Sequence, residues 1–178
     1  MSDITIRKAS LTDIPALLGL INAYAAKGIM LPRTEFEMAE NIRDFTVVYD
    51  GNEIVGCGAL HFYTPTSAEV RSLAVDPSRK SLGLGRMIVE SLIDESNQHG
   101  LHSLFAFTYV QGFFEKLGFS VVDRGELPLK AWKDCLRCPK FQACDEIAML
   151  LRLKAQVDAP SLRLPAQLIE PVAFPILR

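Results

Sequence analysis

A short basic loop ahead of a helix is the part of the chain best suited to bind an anion. Residues 80–85 read KSLGLG, and an amphipathic helix is predicted to begin at Leu84 and to end at Gly100. The glycines let backbone and ligand come into contact, and the first N–H groups of a helix attract negative charge. The loop lacks the Gly-Lys-Ser/Thr of a Walker loop and the G-x-G-x-x-G of a dinucleotide fold. It therefore predicts either a structural turn ahead of the helix or a phosphate site of another kind, with Arg79, Lys80 and Arg86 as charge-assisted donors.

The strand predicted over Glu69–Val75 carries charged residues just upstream of this loop. Regular alternation places Glu69, Arg71, Leu73 and Val75 on one face of the strand. A carboxylate at this place could remove a proton from an ammonium group before the amine attacks an acyl carbon. The alternative is a strand-edge carboxylate that is paired with Arg71 or with solvent. Arg71 could instead bind a carboxylate of the substrate.

The rest of the chain predicts a sheet and helices that would position these residues. Strands are expected at 3–8, 45–49, 53–62, 69–75, 103–108, 119–122 and 146–153, and helices at 14–27, 35–42, 84–99 and 111–117. Ser10 with Asp13, and Thr34, are spaced to cap the first two helices. Gly56 and Gly58 predict that another element approaches their strand closely.

The connections between these elements predict how the strands pair. The early strands are joined by short turns, which predicts an antiparallel meander. The strand at 103–108 follows a helical crossover, so it is predicted to run parallel to the strand at 69–75. The fold class is therefore α+β (mixed α/β), with a mostly antiparallel central sheet flanked by helices.

Composition and charge exclude several classes of partner. The chain has 178 residues, of which 49% are hydrophobic and 22% charged, as in a globular domain with a sizeable core. A net charge of −2 gives no overall attraction to nucleic acid or to an anionic membrane. No apolar run approaches the roughly 18 residues of a membrane span, and the N-terminus has no apolar signal segment. These features predict a cytoplasmic protein with reduced cysteines.

The order strand, Asp76-Pro77, KSLGLG, helix, strand and then GFFEKLGF at residues 112–119 resembles the GNAT superfamily of acetyl-CoA-dependent N-acetyltransferases. The resemblance extends over Ile4–Leu151, and it implies a GNAT acyl-CoA N-acyltransferase domain at residues 1–153 followed by a Pro-rich C-terminal arm at 154–178. It also implies that acetyl-CoA is the cosubstrate. The loop would bind the coenzyme A pyrophosphate, and the backbone of the preceding strand would pair with pantetheine. The implied coenzyme-binding residues are Leu73, Ala74, Val75, Lys80, Ser81, Leu82, Gly83, Leu84, Gly85, Arg86 and Phe114.

The resemblance also assigns catalytic roles, with one departure. Glu69 matches the strand glutamate that serves as general base in some members. Many members have a Tyr in the short helix that protonates the leaving thiolate, where this chain has Phe114. Tyr109 is the nearest substitute, although a Tyr at the end of a strand is also a common packing residue. The thiolate could also leave without a protein acid, because thiols ionise near neutral pH.

Three segments narrow the choice of acceptor substrate. Residues 28–34 (GIMLPRT), 54–61 (IVGCGALH) and 69–77 (EVRSLAVDP) resemble the acetyltransferase domain of N-acetylglutamate synthases, in particular short bacterial forms. The resemblance implies a small-molecule acceptor, glutamate or in some members glutamine, acetylated on its α-amine at the start of arginine biosynthesis. A dicarboxylate needs fixed cations, and Arg33 and Arg71 are the predicted acceptor-binding residues.

Two other functions stay open at this point. The acceptor could be another amine, such as a protein N-terminus, a polyamine or an antibiotic, and the last two would require an acidic pocket rather than arginines. The missing tyrosine at Phe114 also fits a non-catalytic sensor that binds coenzyme A.

The C-terminal third holds a cysteine cluster and an extended tail. Cys135, Cys138 and Cys144 form C-x2-C-x5-C, a spacing at which thiolates can share a metal, but no fourth ligand is evident. Reduced thiols that pack a tight turn are the favoured interpretation, and no metal is predicted. The four prolines of the tail and the exposed edges of the sheet favour a homodimer.

Overall fold

A central sheet of seven strands organises the protein in the computed structural model, which describes residues 4–127, 136 and 138–154. The strands are β1 (Ile4–Lys8), β2 (Phe45–Asp50), β3 (Glu53–Thr64), β4 (Ser67–Val75), β5 (Ser103–Thr108), β6 (Ser120–Val121) and β7 (Ile147–Arg152). Their order across the sheet is β1-β2-β3-β4-β5-β7-β6. Every neighbouring pair is antiparallel except β4 with β5. The predicted fold class, the meander and the one parallel pair are all confirmed.

Helices cover both faces of this sheet. They are α1 (Ile14–Ala25), α2 (Glu35–Asn41), α3 (Leu84–Gln98) and the short α4 (Gln111–Glu115). The face that we call the α1 face is covered by α1 and α2, whose Leu17, Ile21 and Met38 are fully buried. The opposite face, the α3 face, is covered by α3 through its buried Ile88 and Leu92. These residues recur every three to four positions, which is the spacing that gives a helix one apolar side.

The predicted capping residues begin both helices of the α1 face. Ser10 and Asp13 form a capping box around a 3-10 turn that leads into α1. Thr34 accepts a hydrogen bond from the Glu37 N–H, and the Glu37 carboxylate accepts one from the Thr34 N–H. Gly28, at a φ of 68°, turns the chain after α1, as an L side chain rarely can. The loop between the two helices is therefore fixed at both ends.

The close approach predicted at Gly56 and Gly58 is made by α3. A Cβ atom on Gly58 would lie 2.7 Å from Ile88 Cγ2, and one on Gly56 would lie 3.0 Å from Ile88 Cδ1. The first distance is a steric clash, and the second is a tight contact that Ile88 could relieve only by shifting. The two glycines therefore allow α3, which the phosphate-type loop precedes, to lie against β3.

The strands β4 and β5 separate soon after they meet. Their parallel pairs run only from Ser67 with Ser103 to Glu69 with Phe105. Beyond this point β4 pairs with β3 alone and β5 with β7. The two central strands therefore diverge, and a gap opens between them at Glu69.

A β-bulge in β4 corrects one prediction. The register with β3 shifts between Cys57 and Ala59, and Ser72 has a φ of 53°. Such a residue is extra in its strand and reverses the alternation of side chains after it. Leu73 and Val75 consequently pack in the core of the α3 face. The prediction that they share a face with Glu69 and Arg71 is wrong.

Two further predictions differ from the structure or lie beyond it. The strand expected at residues 119–122 is only Ser120–Val121. Most of the C-terminal arm, at 155–178, lies outside the described residues, so its proposed role stays a prediction. No helix in the described part of the chain is both long and apolar enough to cross a membrane.

Candidate active site

The gap between β4 and β5 leads into a cavity of about 340 Å³. Among the described residues, its lining comes mainly from the loop after α1, the diverging ends of β4 and β5, and the segment around residues 138–146, with Phe114 of α4 and Arg124 in addition. Its wall includes Arg71 and Phe107 from the α1 face, and Leu73 and Phe114 from the core of the α3 face. A cavity that reaches both faces allows two reactants to approach each other from opposite sides of the sheet.

Cationic groups outnumber carboxylates in the described lining of this cavity. The cationic lining residues are Arg33, Arg71, Arg124 and Lys140, and the carboxylates are Glu69 and Glu146. A partly desolvated site with excess positive charge favours a ligand that carries more than one carboxylate. The cavity is therefore unlike the acidic pocket that a polyamine or an antibiotic would require.

Arg33 is brought to the cavity by a loop that α1 holds. The side-chain amide of Asn22 accepts a hydrogen bond from the Arg33 N–H at 2.9 Å and donates one to the Arg33 carbonyl at 3.0 Å. Pro32 restricts the backbone just before it, and Thr34 begins α2 just after it. Sequence reasoning selected Arg33 but missed Asn22, whose only sequence signal is an amide within an apolar helix.

Arg71 is supported by the last residue of α2 and by a residue of the turn between α2 and β2. Its Nη2 atom lies 3.3 Å from Asn41 Oδ1 and 3.7 Å from Asp44 Oδ2. Asp44 also makes a 2.6 Å contact with Nδ1 of His61 on β3. The Arg71 side chain is only 11% exposed. This support fixes the direction of the guanidinium, and its partners could not be found from sequence spacing.

Glu69 lies at the point where β4 and β5 begin to diverge, and it is 9% exposed. The Tyr63 hydroxyl donates a hydrogen bond to Glu69 Oε2 at 3.0 Å, and the Tyr63 ring packs against Phe105. Glu69 lines the cavity at this point of divergence. This placement is compatible with the predicted role as general base. It does not support an exposed strand-edge carboxylate.

Tyr109 lies on the opposite side of the cavity, just beyond β5. Its hydroxyl donates a hydrogen bond to Asp145 at 3.0 Å and accepts one from Lys140 Nζ at 3.2 Å. Burial raises the pKa of Tyr109, while the Lys140 hydrogen bond opposes this rise. The phenol is consequently protonated near neutral pH and has a proton to donate. Phe114, by contrast, is buried between the rings of Phe113 and Phe119.

The predicted phosphate loop ends in the first turn of α3. Ser81 and Gly83 have positive φ angles of 73° and 77°, and Gly83 is the N-cap of the helix. A Cβ atom on Gly83 would meet no other atom, so the left-handed backbone explains the glycine there. The turn that leads into this loop begins at Asp76, whose carboxylate accepts a hydrogen bond from the Ser78 N–H at 2.8 Å. The loop thus presents the N–H groups of a 15-residue helix, which suits a diphosphate.

The basic residues of this loop differ in their surroundings. Lys80 is exposed, and its Nζ atom lies 5.8 Å from the centre of the Tyr24 ring. Arg86 pairs with Glu90 on the exposed side of α3 at 2.7 Å. Arg79 makes a 3.0 Å ion pair with Asp50 and so braces the turn. Lys80 and Arg86 stay the predicted charged contacts for a phosphate.

The cysteines fall into two groups. Cys57 is fully buried in β3, and burial raises its pKa to about 12, so it is not a thiolate at neutral pH. Cys138 and Cys144 are partly exposed in the cavity wall. Cys135 lies outside the described residues, and the metal hypothesis for the C-x2-C-x5-C motif is untested for that reason.

The chain matches the Acetyltransferase (GNAT) family over residues 21–119. An uncharacterized N-acetyltransferase from Chlorobaculum tepidum is 40% identical to it over 152 residues, which are 85% of this chain and 98% of the relative. An amino-acid acetyltransferase from Mycobacterium tuberculosis is 32% identical over 121 residues, 66% of this chain and 69% of the relative. The chain therefore belongs to the GNAT acetyltransferase family, as its sequence motifs indicated.

The structure is also similar to that of N-acetylglutamate synthase from Neisseria gonorrhoeae complexed with coenzyme A and N-acetyl-glutamate. The TM-score is 0.78 at 26% identity, and the match covers 86% of this chain and 36% of that one. This chain thus corresponds to only part of that longer enzyme. Family membership and these relatives make the protein an acetyl-CoA-dependent N-acetyltransferase.

Proposed function

We propose that the protein transfers the acetyl group of acetyl-CoA to the α-amine of L-glutamate, the first step of arginine biosynthesis. The observation that carries this proposal is the cationic excess in the cavity where β4 and β5 diverge. Arg33 and Arg71 enter it from two different elements, so they can bind the two carboxylates of one acceptor. The amino-acid acetyltransferases and the N-acetylglutamate synthase among the similar proteins support the same acceptor class.

In this proposal the coenzyme approaches along the α3 side of the gap. The N–H groups of Leu82–Arg86 bind the pyrophosphate, with Lys80 and Arg86 adding charge. Pantetheine pairs with the backbone of Leu73–Val75. The Tyr24 hydroxyl already donates a hydrogen bond to the Val75 carbonyl at 2.5 Å, so that carbonyl is engaged before the coenzyme binds.

The acetyl group would then meet the acceptor amine near Glu69. The Glu69 carboxylate takes a proton from the ammonium group, directly or through water, and the neutral amine attacks the thioester carbon. Tyr109 donates a proton to the coenzyme A thiolate as it leaves. The transfer is direct in this proposal, and the Cys57 thiol, which is buried and protonated, is excluded as an acetyl carrier.

The experiment is a thiol-release assay with acetyl-CoA and a panel of amines that includes L-glutamate, L-glutamine, L-aspartate, a polyamine and a peptide N-terminus. We expect turnover with glutamate. Arg33→Ala and Arg71→Ala should each raise the KM for glutamate about 10- to 100-fold, since a charge-assisted bond to a carboxylate is lost. Arg43→Ala is the matched control, because Arg43 is exposed and does not line the cavity.

The other outcomes separate the remaining functions. Preferred turnover of glutamine or of another amine would replace glutamate as the acceptor while keeping the enzyme class. Tight coenzyme A binding without turnover of any amine would instead support the sensor. If Glu69→Gln left kcat unchanged at pH 7, the general-base role would be withdrawn.

A further inference from the structure

Among the described residues Glu146 is the second carboxylate that lines the cavity, and the transfer as proposed assigns it no role. It is the last residue before β7, on the far side of β5 from Glu69. Alternation along the strand places it on the same face as Ala148, which packs in a cluster with Phe105 on the α1 face. Glu146 and Glu69 therefore belong to one face of the sheet, with the aromatic side chains of β5 between them.

The backbone at Glu146 is held in place by Arg124. The Arg124 Nη2 atom donates hydrogen bonds to the backbone carbonyls of Cys144, at 3.4 Å, and of Glu146. The same guanidinium lies 5.8 Å from the centre of the Phe107 ring, on the floor of the cavity. Because these hydrogen bonds of Arg124 go to backbone carbonyls, Arg124 holds the backbone at Glu146 and does not form an ion pair with the Glu146 carboxylate.

The carboxylate of Glu146 is half-buried and has only a weak donor within the part of the chain that the structure describes. The Cys144 thiol lies 3.9 Å from Glu146 Oε2, and a thiol is a poor hydrogen-bond donor. Lys140, the nearby ammonium group, is occupied by Tyr109 and Asp145. Burial raises the pKa of Glu146, and the charge of Arg124 opposes the rise. A carboxylate in such surroundings gains most from a cation that enters with the ligand.

We propose that Glu146 binds the ammonium group of the acceptor, so that the cavity recognises both charges of a zwitterion. Arg33 and Arg71 would select the carboxylates, and Glu146 would select the amine and hold it on the α1 face of the gap. The aromatic side chains of β5 separate the two carboxylates, so the amine would leave Glu146 and reach Glu69 before Glu69 takes its proton. Binding of the ammonium form and its deprotonation are thus assigned to two different carboxylates. This inference rests on the proposed function only in that the acceptor is an amino acid.

The test compares L-glutamate with glutarate, which keeps both carboxylates and lacks the amine. The dissociation constants of both compounds are measured by calorimetry on protein saturated with coenzyme A, so that no turnover is needed. In Glu146→Gln we expect the Kd of glutamate to rise about 10- to 100-fold and that of glutarate to stay within about twofold. Glu146→Asp, which keeps the charge on a shorter side chain, should recover part of the loss.

The Kd values of glutamate and glutarate also provide the control and the results that would contradict the proposal. Glu40→Gln removes an exposed carboxylate of α2 that does not line the cavity, and it should change neither constant. Equal weakening of glutamate and glutarate in Glu146→Gln would show a distorted site and overturn the proposal, as would no change in either. If glutamate fails to bind the unmodified protein, the proposed acceptor is wrong. The amine identified in the panel and its deaminated analogue then replace the pair.

Discussion

The contact between β3 and α3 yields a stability prediction that can be worked out from one distance. In Gly58→Ala the new Cβ atom would lie 2.7 Å from Ile88 Cγ2, about 1 Å inside the optimal separation of carbon atoms. Ile88 is fully buried, and the χ1 angle of a β-branched residue in a helix has essentially one favoured value. The methyl group therefore cannot turn away, and α3 must shift or the strain must remain.

Overpacking of this kind lowers the free energy of unfolding by about 1–3 kcal/mol. For a chain of this size that corresponds to a fall in Tm of about 2–12 °C, measurable by calorimetry or urea titration. Because the proposed pyrophosphate site lies at the N-terminus of α3, we expect the Kd of coenzyme A to rise in the same variant.

A second substitution isolates the clash. Ile88→Leu moves a methyl group off Cβ at a cost below about 1.5 kcal/mol, so the double variant should be more stable than the two single losses predict. Gly19→Ala, at an exposed helix position with open space around it, is the control and should gain about 0.5–1 kcal/mol. If Gly58→Ala is as stable as the unmodified protein, or if the double variant shows no coupling, the steric argument is refuted.

Two further predictions concern ionisable groups that the structure buries. The hydrogen bond from Arg7 holds the pKa of Asp13 well below its usual range, so the stability from Asp13 is present above about pH 4 and lost as the pH falls further. Asp13→Asn should therefore lower the urea midpoint at pH 7, and the difference from the unmodified protein should shrink below pH 4. Burial raises the pKa of Cys57 to about 12, so iodoacetamide at pH 8 should alkylate Cys138 and Cys144 in the native protein and reach Cys57 only after unfolding, as read by mass spectrometry.

Local rules were sufficient for most of the architecture. The capping box at Ser10 and Asp13 and the cap at Thr34 are properties of a few neighbouring residues, so their spacing indicated where the helices begin. The parallel pair followed from the length of the crossover between β4 and β5. Gly56 and Gly58 indicated a close neighbour but not which element it was.

The parts of the site that were missed depend on contacts between distant segments. Asp44 supports Arg71 although no spacing within a helix or strand relates the two residues. Tyr63 reaches Glu69 across the hairpin of β3 and β4, in a register that the sequence pattern did not define. Glu146 enters the cavity because of the order of β5 and β7 in the sheet, and its sequence neighbours carry no sign of that. The bulge at Ser72 was invisible because nothing in SLAV requires an extra residue.

That bulge has a consequence for how the protein can change. Ser72 divides β4 into two segments. The charged side chains of the first line the cavity where we propose the acceptor binds, and Leu73 and Val75 of the second pack with α3, whose N-terminus is the proposed coenzyme site. On a regular strand all four side chains would have shared one environment. In this protein a substitution at residue 69 or 71 contacts the cavity, whereas a substitution at residue 73 or 75 contacts the core beneath α3. Acceptor preference can therefore be exchanged, by selection or by design, while the coenzyme half of the same strand is left intact.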